Sequence, residues 1–305
     1  MKIETLLTPA ELPALARRDL RATACVVFDI LRATSTFVTA LQNGAAAIIP
    51  VGEIAEAVAR RQQQPDVLLA GERDGVKIRA APKWHGRPAR EDIVGEADPK
   101  SRAGRPCNYQ SEVDFDFGNS PREFHPETVR GKTIVSTTTN GTRALRACTG
   151  AKSVLAASFL NLSATAKFIQ KNNFEEVVLV CAGTGEGVAD EDVLAAGALV
   201  EILANGTPTP ALSLPKGEGE SFDARLEFDS PAATSRSLQL DDSTEIARQT
   251  FLRSKANLST VIAGSKNGRR LLALPELRDD VAFCSQRDIF NLVAEMKADG
   301  AIRRA

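Results

Sequence analysis

Apolar and polar positions form two patterns along this chain, short apolar runs and helical spacing. The change from the first pattern to the second predicts strands followed by helices. Residues 26–28 form an apolar run typical of a short buried strand, and the segment from there to Gly44 passes through a polar turn into helical spacing. Further strands are predicted within residues 2–7, 45–51 and 66–75. Strands that alternate with helices favour a mostly parallel sheet covered by helices, so the sequence predicts an α/β fold.

The same order of elements occurs twice along the chain. When residues 132–158 are laid over the first copy, Thr142 falls on Thr36 and Gly150 on Gly44, and the match extends to a second helix and a third strand. Any two strand–helix–strand units resemble one another, but a match of this length favours an internal duplication. We therefore predict two similar α/β halves, residues 1–125 and 126–305, with an active-site cleft between them.

Some segments depart from this pattern. Residues 80–111 contain the only Trp and Tyr among many Pro, Gly and charged residues, and residues 207–236 show little periodicity. We interpret them as one insertion in each half, the second of them a candidate for disorder. The alternation of Asp and Phe at 114–117 is strand-like, and a final strand is predicted at 281–285.

Composition excludes several classes of function. The 305 residues include 38 Lys and Arg against 39 Asp and Glu, so no overall charge favours nucleic acid or an anionic membrane. The N-terminus lacks the apolar core of a signal peptide, and no apolar run is long enough to span a bilayer. Five scattered cysteines indicate buried thiols in a reducing cytoplasm. Two isolated histidines argue against a zinc site or a Ser-His-Asp triad.

The turn after the strand at 26–28 is rich in groups that bind anions. Its polar side chains are Asp29, Arg32, Thr34, Ser35 and Thr36. A helix N-terminus stabilises an anion through free N–H groups and the helix dipole, and Arg32 and the hydroxyls add donors. A divalent cation between the anion and Asp29 would remove their repulsion, so we predict half of a phosphate and metal site. The alternatives are that Asp29 caps the turn and that Arg32 pairs with a surface carboxylate.

Acidic residues also follow two later apolar runs. Glu72 and Arg73 come at the end of a predicted strand, and therefore at the same sheet edge as Asp29. A solvent-exposed ion pair is the alternative for them. Asp192 belongs to an acidic cluster at residues 190–192 that opens an apolar helix; stabilisation of the helix N-terminus and metal ligation both remain open for this cluster.

A second set of candidate ligand-binding residues lies in loops of the later part of the chain. The Thr-rich loop of the second copy contains more hydroxyl groups than a turn requires, although its Asn-Gly pair is a strong turn signal. If a pseudo-twofold axis relates the halves, both Thr-rich loops face one cleft. A turn with free donors and a glycine-rich loop are further candidates. The candidates in these loops are Asn119, Ser120, Thr138, Thr139, Asn140, Gly141, Thr142, Gly183 and Thr184.

These residues carry a resemblance to a known family, 2-phosphosulfolactate phosphatase. The motifs occur in the family's order and read VVFDILRATSTFVTALQNGA, AGERDG, FDFGNSPREF, TTTNGTRAL, ASFLN and CAGTGEGVADEDVLAAGAL. The tail SKNGRRLLALPELRDDVAFCSQRD is also similar. The chain departs from the family pattern by inserting residues 80–111 and 207–236, and neither insertion interrupts a motif.

The resemblance implies Mg²⁺-dependent hydrolysis of 2-phosphosulfolactate to sulfolactate and phosphate in coenzyme M biosynthesis, by a homodimer. It implies that Asp29, with Glu72 or Asp192, holds Mg²⁺, that Asp29, Arg32 and Glu72 are catalytic, and that the two Thr-rich loops and Arg73 bind the anionic groups. Attack on phosphorus by water or by Asp29 both remain open. The rival functions are a phosphatase for another small phosphate ester and a non-catalytic binder of small anions.

Overall fold

The computed structural model describes residues 1–80, 110–111, 113–205 and 237–305. The strands in these ranges are β1 (Lys2–Leu6), β2 (Thr23–Phe28), β3 (Ala47–Pro50), β4 (Leu68–Arg73), β5 (Val76–Lys77), β6 (Arg79–Ala80), β7 (Gln110–Ser111), β8 (Thr133–Thr137), β9 (Ser153–Ala157), β10 (Glu176–Cys181), β11 (Gln239–Leu240), β12 (Ala294–Met296) and β13 (Ile302–Arg304). The two predicted insertions fall almost entirely outside the described residues.

Helices separate most of these strands, as the sequence pattern predicts. They are α1 (Leu12–Leu15), α2 (Ala33–Gln42), α3 (Ile54–Gln63), α4 (Pro126–Val129), α5 (Gly141–Ala147), α6 (Leu162–Asn172), α7 (Asp190–Asn205), α8 (Asp242–Ser254), α9 (Leu258–Gly264), α10 (Lys266–Leu272) and α11 (Arg278–Cys284). Across the described ranges, none of these helices combines the length and the apolar character that a membrane crossing requires.

One sheet of eleven strands, in the order β11-β1-β10-β2-β9-β12-β13-β3-β8-β4-β5, organises the described residues. Two parallel groups make up most of it, β11-β1-β10-β2-β9 on one side and β3-β8-β4 on the other. The antiparallel pair β12 and β13 lies between the groups and pairs with β9 on one side and β3 on the other. The prediction of a mostly parallel, helix-covered sheet is confirmed.

Strands from the two predicted halves interleave in this sheet. β2 pairs with β9 and β10, which come from the later half of the chain, and β8 pairs with β3 and β4, which come from the earlier half. The order β10-β2-β9 on one side of the hairpin thus corresponds to β4-β8-β3 on the other. This symmetry is consistent with an internal duplication. The division into residues 1–125 and 126–305 stays a prediction.

Two hydrophobic layers cover opposite faces of the sheet at β2 and explain why this strand is apolar from Ala24 to Phe28. Alternate side chains of β2 point to opposite faces, so that Val26 and Phe28 pack in one cluster with α6 and α7 while Cys25 and Val27 pack in another with α2 and α5. Because β2 is held on both faces, the turn that follows it starts from a fixed position.

The structure differs from the sequence patterns at two places. The predicted strand at 281–285 is the end of α11, because Val281 and Cys284 are buried while Ala282 is exposed, which is a helical period. The Asp-Phe alternation at 114–117 forms only an isolated bridge, from Phe117 to Ala70. There the Asp116 carboxylate accepts the N–H of Leu69 at 2.7 Å, in place of a regular strand partner.

Candidate active site

A polar cleft of about 270 Å³ lies where β2, β4, β8 and β10 end. This is the sheet edge at which parallel α/β folds bind their ligands. Eight of the seventeen candidate residues from the sequence line it. They are Asp29, Arg32, Glu72, Asn119, Thr139, Asn140, Gly183 and Thr184. The loops that follow strands of both predicted halves therefore meet in one place.

Asp29, the first residue after β2, is buried at the base of the cleft. Its Oδ1 accepts the N–H of Ala33 at 3.0 Å, so that the carboxylate caps the start of α2. Among the described residues its other oxygen, Oδ2, has no hydrogen-bond partner in the structure. The capping alternative and the functional one are therefore compatible, because a different oxygen serves each.

Close backbone approach keeps that oxygen in place. A Cβ at Gly141, the first residue of α5, would lie 2.5 Å from Oδ2 of Asp29 and 2.6 Å from the Cβ of Ala33. Only glycine allows the loop after β8 to come this close to the loop after β2.

Glu72, near the end of β4, joins two loops of the cleft. Its Oε1 accepts the backbone N–H of Thr139 at 2.8 Å and the hydroxyl of Thr139 at 3.0 Å. Its Oε2 accepts the N–H of Gly75 at 2.6 Å, which fixes the turn between β4 and β5. The carboxylate is buried and faces the same cleft as Asp29.

Arg32 is also buried, but a carboxylate from the C-terminal part of the chain already pairs with it. Its Nη1 donates to Oδ2 of Asp280 at 2.8 Å, and its Nη2 donates to the carbonyl of Gly75 at 3.0 Å. Ser120 donates to the other oxygen of Asp280 at 2.7 Å. The pair joins α11 to the cleft, and sequence reasoning missed Asp280 because nothing near residue 280 indicates a partner 248 positions away.

The hydroxyls of the first Thr-rich turn are bonded inside the protein. Thr34 donates to the carbonyl of Asp29, Ser35 to that of Ile30 and Thr36 to that of Asn119, at 2.8 to 3.0 Å. The structure therefore does not bring these hydroxyls to the cleft. They hold the loop in shape.

The second loop shows a similar arrangement. Thr138 and Thr142 bond to each other across the start of α5 and do not line the cleft. Arg73 points to the carbonyl of Gly52 and the hydroxyl of Thr137, away from the cleft. From this part of the chain, Thr139 and Asn140 reach the cleft.

The buried carboxylate of Asp192 links the loops that follow two strands, β2 and β10. Its Oδ1 accepts the N–H of Ile30 at 2.8 Å and its Oδ2 that of Gly183 at 3.0 Å. Asp192 therefore lies behind the cleft and positions the loops after β2 and β10. Gly183 has a φ of 71° and leaves no room for a Cβ, which would lie 2.4 Å from the carbonyl of Gly187.

Three buried carboxylates influence one another here. The pKa of Asp29 is raised to about 7, mainly by burial and also by the charges of Glu72 and Glu191, against the lowering effects of the Ala33 N–H and Arg32. Burial and the charges of Asp29 and Glu191 raise the pKa of Asp192 well above its usual range. The pKa of Glu191 is also raised, mainly by burial, and its Oε2 is buried with no hydrogen-bond partner among the described residues. The site carries more buried negative charge than its own cations balance.

One wall of the cleft comes from α10, which sequence reasoning did not assign to the site. Lys266, Asn267, Arg270 and Leu271 of this helix line the cleft. Their segment carried a family resemblance but no spacing that distinguishes it from a solvated basic helix.

Comparison with known proteins gives a consistent result. A family model described as 2-phosphosulpholactate phosphatase matches residues 7–81 and 110–299, and the gap between the two ranges falls in the first predicted insertion. A probable 2-phosphosulfolactate phosphatase of Caldanaerobacter subterraneus subsp. tengcongensis is 34% identical over 290 residues, which cover 94% of this chain and 92% of that protein. A protein of the same description from Pseudothermotoga lettingae is 33% identical over 282 residues, which cover 92% of each chain.

Proposed function

The chain belongs to the 2-phosphosulpholactate phosphatase family, and on that premise we propose that it hydrolyses 2-phosphosulfolactate to sulfolactate and inorganic phosphate with Mg²⁺ as cofactor. As a member of this family it is a phosphoric monoester hydrolase. The observation that carries the proposal is a cleft of about 270 Å³ in which two buried carboxylates, Asp29 and Glu72, lie together with basic side chains of α10. Such a cleft suits a small ester with several negative charges.

The donor set of the cleft fits Mg²⁺. Within the described ranges no three or more His, Cys, Asp or Glu side chains form a metal-binding cluster, and the described residues of the cleft offer two buried carboxylates that could bind a metal, Asp29 and Glu72. Mg²⁺ is commonly held in this way, by one or two carboxylates together with waters and substrate phosphate oxygens. The free Oδ2 of Asp29 and the nearby charge of Glu72 favour a cation at this position.

We assign Mg²⁺ to Asp29 and Glu72, which both line the cleft. Asp192 has a different role in this proposal, because it lies outside the cleft lining and joins the loops after β2 and β10 through the N–H groups of Ile30 and Gly183. Bound at the two carboxylates, Mg²⁺ would neutralise charge on the phosphoryl oxygens and lower the pKa of a coordinated water.

The chain's own groups would orient the substrate for attack at phosphorus. Asn119, Thr184 and the α10 side chains provide donors in the cleft, and the Arg32–Asp280 pair keeps the turn at Gly75 in position. We propose that water is the nucleophile: its oxygen bonds to phosphorus while the ester P–O bond breaks, the departing oxygen of sulfolactate takes up a proton, and inorganic phosphate forms without a phosphoenzyme. Attack by Asp29 would instead form an acyl phosphate, which quenching in acid and mass spectrometry would detect as a phosphorylated peptide.

The test is phosphate release from a panel of small phosphate esters, with Mg²⁺ or with EDTA. The panel includes 2-phosphosulfolactate, and the proteins compared are the wild type and Asp29→Asn. We expect release that requires Mg²⁺, prefers 2-phosphosulfolactate and collapses in the variant. Release from another ester alone would show that the substrate is a different phosphate ester. Binding of an ester without phosphate release would favour a non-catalytic anion binder. A homodimeric state and a cytoplasmic location stay predictions.

A further inference from the structure

Two cations of the cleft have no partner in the described part of the chain. Lys266 and Arg270 lie one turn apart on α10, so their side chains project from the same side of the helix, and both line the cleft. Neither forms a hydrogen bond or an ion pair with any described residue. The third cation of the cleft, Arg32, is already paired with Asp280.

The position of this helix is fixed by contacts from its other residues. Asn267 donates to the hydroxyl of Thr184 at 2.6 Å and to Oε1 of Glu191 at 2.7 Å. Ser265 caps the helix by accepting the N–H of Gly268 at 3.0 Å. Asn267, which lies between the two cations in the sequence, therefore holds α10 against the loop after β10, and this leaves the charged side chains available for a ligand.

Arg270 also lies against the turn between β4 and β5. A Cβ at Gly75 would be 3.0 Å from Nη2 of Arg270, and the N–H of Gly75 is bonded to Glu72. The guanidinium thus lies beside the Gly75 turn, and it forms no ion pair with Glu72 or any other described carboxylate. An unpaired guanidinium in such a place is well suited to a carboxylate or sulfonate, which it can bind through two parallel hydrogen bonds.

We propose that Lys266 and Arg270 bind an anionic group of the substrate other than the transferred phosphoryl group. These two side chains would then supply the part of the substrate selectivity that depends on a second strong anion, a carboxylate or a sulfonate. This inference rests on the proposed function, in which the phosphoryl group occupies the end of the cleft at Asp29 and Glu72. Two anionic groups on one small skeleton would each have their own cationic partner.

The experiment compares two esters across variants of α10. The esters are 2-phosphosulfolactate and phenyl phosphate, which has no second anionic group. The variants are Lys266→Gln, Arg270→Gln and, as a matched control, Arg269→Gln. Arg269 is an exposed cation of the same helix that lies outside the cleft and donates to the carbonyl of Gly264. The quantity measured is the ratio of kcat/KM for the two esters.

We expect Lys266→Gln and Arg270→Gln each to lower this ratio about 10- to 100-fold, mainly through KM, since a charge-assisted hydrogen bond is lost. Arg269→Gln should keep the wild-type ratio within about twofold. An equal loss with both esters would overturn the inference, as would a ratio that falls as far in Arg269→Gln. Circular dichroism melts would show whether each variant folds like the wild type.

Binding of sulfolactate, measured by calorimetry, separates this inference from the proposed function. If the wild type releases phosphate from neither ester, the proposed function fails. The inference then stands if sulfolactate binds the wild type at least about tenfold more tightly than Arg270→Gln. It fails if the two proteins bind sulfolactate alike.

Discussion

Replacement of Asp29 by asparagine should stabilise the metal-free protein while it abolishes activity. The pKa of Asp29 is raised from 3.8 to about 7, mainly by burial. The folded chain therefore binds more protons than the unfolded chain between about pH 4 and pH 7, and stability falls as the pH rises through this window. A neutral amide of the same shape removes this effect.

The size of the effect follows from the two pKa values. Their difference of about 3 corresponds to about 4 kcal/mol of lost stability at pH 8, where Asp29 is charged in both states. The amide oxygen of asparagine can still accept the Ala33 N–H, although as a weaker acceptor, so we expect a gain of about 2 to 4 kcal/mol in Asp29→Asn at pH 8.

Urea unfolding in EDTA, at pH 5 and at pH 8, measures this gain. The gain in stability should be smaller at pH 5 by about 2 to 3 kcal/mol, because Asp29 is then protonated in most molecules of the folded wild type. A surface variant, Asp19→Asn, controls for a general effect of removing negative charge, since Asp19 is exposed and pairs locally with Arg21. Equal gains at both pH values, or a loss of stability in Asp29→Asn at pH 8, would refute the reasoning.

Three further changes test other parts of the site. Gly141→Ala should destabilise the fold by about 1 to 3 kcal/mol and lower kcat/KM at least about tenfold, because the new Cβ collides with Asp29; urea unfolding and phosphate release measure both effects, and a fully active variant would contradict the close approach. Asp280→Asn should cost about 3 to 5 kcal/mol in thermal unfolding, because it leaves the buried guanidinium of Arg32 without its counter-charge; an unchanged melting temperature would argue against that pair. Dialysis against EDTA should stop phosphate release, and excess Mg²⁺ should restore it; full activity after dialysis would remove Mg²⁺ from the proposal.

The sequence predicts the fold class well because long apolar strands and amphipathic helices carry strong periodic signals. β2 and β10 contain apolar runs, residues 24–28 and 177–181, that end in polar loops, and parallel strands bring such loops to one edge. This is why Asp29, Glu72 and Thr139 could be placed together from the sequence. The hairpin that joins the two parallel groups was beyond the same reasoning, since β12 and β13 have only three residues each.

The site was harder to predict in detail, for two reasons. Hydroxyls such as Thr34 and Thr36 look alike in a sequence whether they face a ligand or a carbonyl group, and here they bond to backbone carbonyls. Lys266 and Arg270, by contrast, resemble any exposed basic pair on a short helix. Their place in the cleft depends on how α10 folds back over the strand ends, and no local pattern encodes this contact.

The interleaved sheet also has a consequence for the order in which the chain can fold. β2 finds its neighbours only when residues 153–181 are available, and the two parallel groups are joined only when the last strand, β13, pairs with β3. During synthesis the edges of the early strands therefore stay unpaired until the rest of the chain has emerged from the ribosome. Long-range pairing of this kind slows folding and exposes intermediates to aggregation, so either half made alone would lack the neighbours that cover its strands.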